Sequence, residues 1–232
     1  FLLSFKAIAS NCEFQMADYI DSYAKWMDDK EEAKLYSESQ HAGSLGPGRS
    51  LARMIDFSGV DHLLDVAGGT GGLAIRLCQE NPNLRVTIID FPHVVSLGKE
   101  KVKDADLSDR ISFIGGNALD YNWPTNVDAV LMSYLYNGVP GKSIPELARQ
   151  TYRVMNPGGI YIVHDFMVEN DRSGPHLAAL WQLQHLAFTP TAKSITPSWV
   201  SGIMQDAGFL EIKEKVLIPG MTKVLWGKKS TK

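Results

Sequence analysis

The sequence predicts an α/β fold, a largely parallel sheet with helices on both faces and an antiparallel edge. Three observations carry this. From residue 61 to residue 165, short apolar runs alternate with segments of helical apolar spacing. Most of the runs end in an acid, a glycine or a small polar residue, as strands do at a ligand-bearing sheet edge. Two further runs, 209–217 and 222–227, are separated only by Ile218-Pro219-Gly220-Met221, which reads as a hairpin turn.

The elements follow in order. Residues 1–40 read as helical, with apolar positions at Phe5, Ile8, Phe14, Tyr19, Tyr23 and Trp26, broken by Asn11 and by an acidic run from Asp28 to Glu32. Ser39 to Gly48 reads as a loop because of its glycines and Pro47, and Leu51, Met54, Ile55 and Phe57 start another helix. The chain thus divides into an N-terminal helical lid, or remnant of a larger helical region, over 1–44, and a main domain over 45–232. Strand one is 62–66, followed by a helix at 72–80 that Asn81-Pro82-Asn83 stops. Strand two is 84–89, ending at Asp90, with a helix over 93–104. Strand three is 111–114 and strand four 128–132. A helix over 144–154 stops at Asn156-Pro157-Gly158-Gly159, and strand five is 160–163. Helices at 175–188 and 198–207 precede the hairpin. Strand–helix alternation of this kind implies right-handed crossovers.

Composition narrows the partners. A net charge of −3 argues against nucleic acid, which leaves a basic footprint on the proteins that bind it. No apolar run is long enough to span a bilayer, so no membrane partner is expected. The opening Phe1-Leu2-Leu3-Ser4-Phe5 lacks the charged start and cleavage site of a signal peptide. Two cysteines, Cys12 and Cys78, make no disulfide framework and point to the reducing cytoplasm. The absence of an initiator Met reads as a domain taken from a larger chain, or a trimmed one.

The stretch Leu63 to Ala74, with Asp65, Gly68, Gly69, Gly71 and Gly72, reads as strand, tight glycine loop, helix. Glycines let a ligand approach the backbone, and the helix start offers free N–H groups. Two ligands suit it. Gly69-Thr70-Gly71-Gly72-Leu73-Ala74 satisfies the dinucleotide pattern G-x-G-x-x-G/A. Asp65-x-x-Gly68-Gly69-x-Gly71 instead resembles motif I of class I S-adenosylmethionine-dependent methyltransferases, where a carboxylate suits a cationic cofactor and would repel a pyrophosphate. The carboxyl ends of the other strands carry Asp90-Phe91, Asn117-Ala118, Ser133-Tyr134 and His164-Asp165. A carboxylate at Asp90 can accept both ribose hydroxyls of either cofactor.

Leu64 to Gly71, Ile89-Asp90-Phe91-Pro92, Gly115-Gly116-Asn117-Ala118, Met155 to Gly159 and His164-Asp165-Phe166-Met167 together resemble the small-molecule O-methyltransferases of the caffeate and acetylserotonin type. So does Asp171-Arg172-Ser173-Gly174-Pro175. The resemblance covers residues 45–229. It implies a Rossmann-like seven-stranded sheet of order 3-2-1-4-5-7-6 and S-adenosyl-L-methionine as cofactor. It implies cofactor contacts from Asp65, Gly68, Gly69, Gly71, Asp90, Phe91, Asn117, Ala118 and Ser133. After strand four the family carries Leu-His-Asp-Trp, whose His is the general base, and this chain has Leu135-Tyr136-Asn137-Gly138-Val139 instead. Asn is no base near neutral pH, so His41, Tyr134, His164 and His185 become the candidates, with His164, His185 and Tyr134 foremost. His164, Asp165, Gln182 and His185 also form a possible donor set for a divalent Fe or Mn ion, which would polarise a carbonyl acceptor. The same histidines also fit as hydrogen-bonded residues that only line the pocket. The acceptor is then a small molecule or a carrier-bound acyl group, methylated on oxygen or carbon in secondary or polyketide metabolism. Two rivals stay open: a non-catalytic cofactor-binding docking domain of a larger enzyme, and a nicotinamide-dependent oxidoreductase.

Overall fold

The computed structural model describes residues 30–120 and 122–231. Seven strands form one sheet of order β3-β2-β1-β4-β5-β7-β6. Strands β1 (His62–Val66), β2 (Arg85–Asp90), β3 (Ile111–Gly115), β4 (Val127–Ser133) and β5 (Met155–Asp165) run parallel. The hairpin of β6 (Leu210–Ile218) and β7 (Thr222–Lys228) adds β7 antiparallel to β5. Fold and strand order agree with the sequence reading.

The parallel strands are apolar on both faces because helices cover both. Leu64, Val66, Val130, Met132, Tyr161 and Val163 face one core, where α4 (Ile144–Val154) and α6 (Pro197–Asp206) contribute Leu147, Ala148, Val200 and Met204. The alternate residues Leu63, Ile88, Ala129, Leu131 and Ile162 face the other. There α1 (Lys30–Met54), α2 (Gly72–Glu80) and α3 (Pro92–Asp104) contribute Leu51, Leu73, Leu77 and Val102. One more helix, α5 (His176–Phe188), follows β5.

One expectation fails. Ser39 to Gly48 is not a loop but the middle of α1, which runs unbroken across residue 44 with Pro47 inside it. The reason lies in what α1 packs against. Its buried positions Ala33, Ser37, Ser44, Pro47, Gly48 and Leu51 recur at helical spacing as a stripe of mostly small residues. A Cβ at Gly48 would lie 3.0 Å from the Leu73 backbone and 2.9 Å from Arg76 Cβ. A Cβ at Gly72 would meet the His41 carbonyl at 2.9 Å. These glycines bring two helices into backbone contact, and tertiary packing overrides the local turn preference. The helical reading of residues 1–29 lies outside the described residues.

Replacing Gly48 by Val should force α1 from α2 and lower stability by about 1–3 kcal/mol, the usual cost of overpacking. Urea unfolding checks this, and an unchanged midpoint would show that the close crossing is not needed.

Candidate active site

At the carboxyl edge of the sheet lies a cavity of about 390 Å³. Its walls come from five places. The glycine loop supplies Ala67, Gly68, Gly69 and Thr70, and the ends of β2 and β3 supply Asp90, Phe91, Asn117 and Ala118. The end of β4 supplies Ser133, Tyr134 and Leu135, with Gly138, Val139 and Pro140 beyond. Helix α5 adds Trp181 and His185, and α1 adds Tyr36, Ser37, Gln40, His41 and Ser44.

On the glycine-loop side, Asp90 is the organising group. Its Oδ2 accepts the Gly69 N–H at 2.7 Å and its Oδ1 the Phe91 N–H at 2.7 Å. Each carboxylate oxygen keeps a lone pair for a ligand. Burial pushes this carboxyl up to about 6, against the two N–H bonds that lower it. A side chain at Gly69, whose φ is +61°, would project into open space on the cavity side. Asn117 Oδ1 accepts the Leu119 N–H and its amide donates to Asp120, which leaves one lone pair on Oδ1. His41 reaches from α1 to Thr70, with Nδ1 2.9 Å from the hydroxyl oxygen.

Two glycine-motif residues do not line the cavity. Gly71, at φ +84°, turns inward, where a Cβ would lie 3.0 Å from Ile88 Cδ1. Asp65 lies fully buried beneath the loop, and neither of its carboxyl oxygens has a hydrogen-bond partner among the described residues. A Cβ at Gly68 would fall 2.5 Å from its carboxyl carbon, so Gly68 is required by that carboxyl. Burial, with the charge of Asp90, pushes Asp65 up to about 7.

The four residues read as metal donors are not brought together. His164 is fully buried, with Nδ1 2.8 Å from the Ser133 hydroxyl and Nε2 2.9 Å from the Thr222 hydroxyl. Both ring nitrogens are engaged, so neither is offered to a metal or to a substrate proton. Burial presses its pKa down to about 3. Asp165 accepts the Asn137 side-chain amide at 2.6 Å and the Phe166 N–H at 2.8 Å. Burial pushes it up to about 7. Gln182 donates to the Phe166 and Ile195 carbonyls. These three side chains stand behind the cavity wall, and only His185 of the set lines it. Among the described residues no three His, Cys, Asp or Glu side chains are grouped to hold a metal. Residue type and strand position suggested donors; the hydroxyls opposite His164 could not be read from its neighbours in sequence.

Tyr134 and His185 do stand at the acceptor side. Tyr134 sits at φ +59° and packs on Trp181 and Phe166, with its hydroxyl held neutral by burial. His185 packs on Trp181, with ring centroids 4.9 Å apart. Of the α1 wall the sequence reading named only His41 and missed Tyr36, Ser37, Gln40 and Ser44. The signal was there, since Ser37, Gln40, His41 and Ser44 recur at i, i+3, i+4 and i+7.

A sheet of this order, with a glycine loop after β1 and an acid after β2, defines the fold of S-adenosylmethionine-dependent methyltransferases. The chain belongs to the O-methyltransferase domain family, whose sequence profile matches residues 4–210. It is 30% identical over 183 residues to 3-hydroxy-5-methyl-1-naphthoate 3-O-methyltransferase of Streptomyces sahachiroi, covering 78% of this chain and 53% of that protein. It is 27% identical over 205 residues to L-tyrosine C(3)-methyltransferase of Streptomyces lavendulae, covering 87% and 56%. The chain thus spans about half the length of the curated relatives it matches. Its fold superposes on human N-acetylserotonin methyltransferase in complex with S-adenosylmethionine with a TM-score of 0.82 at 21% identity, covering 98% of this chain and 62% of that one.

The state of His164 gives a pH signature. Below about pH 6.5 the unfolded chain protonates this residue, while the folded chain refuses the proton down to about pH 3. Its contribution is therefore lost as pH falls. The stability advantage of wild type over His164→Gln should shrink by about 1.4 kcal/mol per pH unit below pH 6. Paired denaturant titrations from pH 7 to pH 5 check this, and a constant difference would mean that folding leaves the proton affinity of His164 unchanged.

Proposed function

We propose that this chain binds S-adenosylmethionine and transfers its methyl group to a small molecule in secondary metabolism, in the cytoplasm. One observation carries the reading. A single cavity joins the Asp90–glycine-loop wall to a wall of Tyr134, Leu135, Trp181 and His185, so cofactor and acceptor sites are continuous. The residues fit the cofactor: Gly69 leaves open room, and Asp90 keeps lone pairs for a ribose diol. When bound, the cofactor supplies an electrophilic sulfonium methyl. Asp90 holds the ribose, Phe91 and Asn117-Ala118 flank the adenine, and Gly68 and Gly69 admit the methionine portion. Gly71 shapes the loop, Asp65 supports it from beneath, and Ser133 closes the floor between the two sites. The apolar walls exclude water and hold the acceptor in line.

The relatives act, by their names, on a naphthoate hydroxyl and on a tyrosine ring carbon. Both point to a planar aromatic acceptor, which the Trp181–Tyr134 wall suits. A carrier-bound acyl acceptor is the alternative substrate. The rival reading is a cofactor-binding domain that does not catalyse, favoured by Asn137, whose amide is tied to Asp165 and the Phe166 carbonyl.

Calorimetry with S-adenosylhomocysteine tests the binding reading. Asp90→Ala should weaken binding by about 1.5–3 kcal/mol, the range for hydrogen bonds to a charged group. Equal affinity in the variant would remove Asp90 from the site. Methyl transfer from tritiated cofactor to 3-hydroxy-5-methyl-1-naphthoate and to acyl-carrier thioesters then separates the substrates, and binding without any transfer would favour the docking domain.

A further inference from the structure

We infer that His185 is the general base for a hydroxyl acceptor, presented to the cavity from α5 and not from the loop after β4. The inference rests on the methyl-transfer reading and adds to it the group that takes the proton and the class of acceptor that requires one.

The geometry fixes the tautomer of His185. Its Nδ1 lies 3.0 Å from the Trp181 carbonyl oxygen, which can only accept, so Nδ1 carries the hydrogen. In the neutral ring Nε2 then carries a lone pair, and it has no hydrogen-bond partner among the described residues. The ring is held in place. It packs on Trp181, which in turn stacks on Phe166 with centroids 4.3 Å apart. Burial lowers the pKa of His185, which keeps the imidazole unprotonated and able to accept near neutral pH.

The loop after β4 makes room for this ring and offers no competing base. A Cβ at Gly138 would lie 3.8 Å from His185 Cδ2, so the imidazole lies directly against this loop. Asn137 is buried, and its amide points away into Asp165 and the Phe166 carbonyl. The other titratable groups on the cavity wall are occupied or misplaced. Tyr36 and His41 come from α1, with His41 tied to Thr70 of the glycine loop. Asp90 receives two N–H bonds on that same side, and Tyr134 is held neutral.

The step balances. The acceptor O–H bond breaks and its proton moves to His185 Nε2. The freed electron pair forms the new O–C bond as the sulfonium C–S bond breaks, leaving a neutral thioether. The positive charge lost from sulfur appears on the His185 imidazolium, which then returns its proton to water.

The test uses protein saturated with S-adenosylhomocysteine and 2-naphthol as the hydroxyl probe. Long-range proton–nitrogen spectra of histidine-labelled protein should show His185 protonated at Nδ1 only, and naphthol should shift the Nε2 resonance. In turnover with S-adenosylmethionine and 2-naphthol, His185→Gln should lower kcat by roughly 10²–10⁴-fold. KM and S-adenosylhomocysteine affinity should stay within about twofold of wild type. Turnover of the variant within threefold of wild type, or an Nε2 resonance that naphthol leaves unmoved, would overturn the assignment. Calorimetry on the wild type judges the cofactor reading separately, so the two cannot fail indistinguishably.

Discussion

The chain leaves β1 and β4 through left-handed residues, and the cavity depends on those two exits. Ala67 at φ +58° and Tyr134 at φ +59° each follow the last residue of their strand, and neither is glycine. Such a conformation costs roughly 1–2 kcal/mol for a residue with a side chain. Each is held by one backbone bond to the strand on its outer side. The Ala67 N–H donates to the Ile89 carbonyl of β2, and the Tyr134 N–H to the His164 carbonyl of β5, both at 2.8 Å. The loops that leave the two strands are thus each tied to the outer neighbour, and the cavity lies between them at the switch in strand order. The glycine loop fills one side and the loop from Tyr134 to Pro140 the other.

A layer of buried polar groups makes the second side rigid. His164 joins β4 to β7 by bridging the Ser133 and Thr222 hydroxyls. Asp165 holds Asn137 through its backbone and side-chain N–H groups, while Gln182 brings α5 onto the Phe166 carbonyl that Asn137 also reaches. Buried groups of this kind are costly unless paired, and almost every one here is paired. The network positions α5, and with it Trp181 and His185, against the loop after β4. Histidine, acid and amide behind the wall therefore serve geometry, and of the four side chains read as metal donors only His185 reaches the cavity.

What was legible in the sequence was what local rules decide. The strands were readable because their apolar runs end in Asp90, Gly115 or Ser133, and the glycine loop because its turn chemistry is local. Strand order and cofactor came with the motif resemblance. Helix α1 was not legible across residues 39–48, because Gly48 carries the same letter whether it makes a turn or a close helix contact, and Gly43, Gly46 and Pro47 beside it read as turn residues. Only Leu73 and Gly72, distant in sequence, decide between the two. His164 and His185 were equally attractive as letters. They differ in partners, and the hydroxyl of Thr222 that occupies His164 lies 58 residues away.

The charge of the cavity decides between the two cofactors that the glycine pattern admitted. Asp65 and Asp90 stand close enough at the ends of β1 and β2 for one to raise the pKa of the other. No Lys or Arg is among the described residues lining the cavity. A dinucleotide pyrophosphate on this loop would bring two negative charges to two carboxyls, with only helix N–H groups to receive them. A ligand bearing ammonium and sulfonium charges meets the opposite situation, because each cation lowers the cost of an ionised carboxyl beneath the loop. Gly68 allows that carboxyl to lie directly under the ligand path, since any side chain there would collide with Asp65. Gly68, which stands outside the dinucleotide pattern, is thus required by an acid, and a buried acid at that place disfavours an anionic ligand.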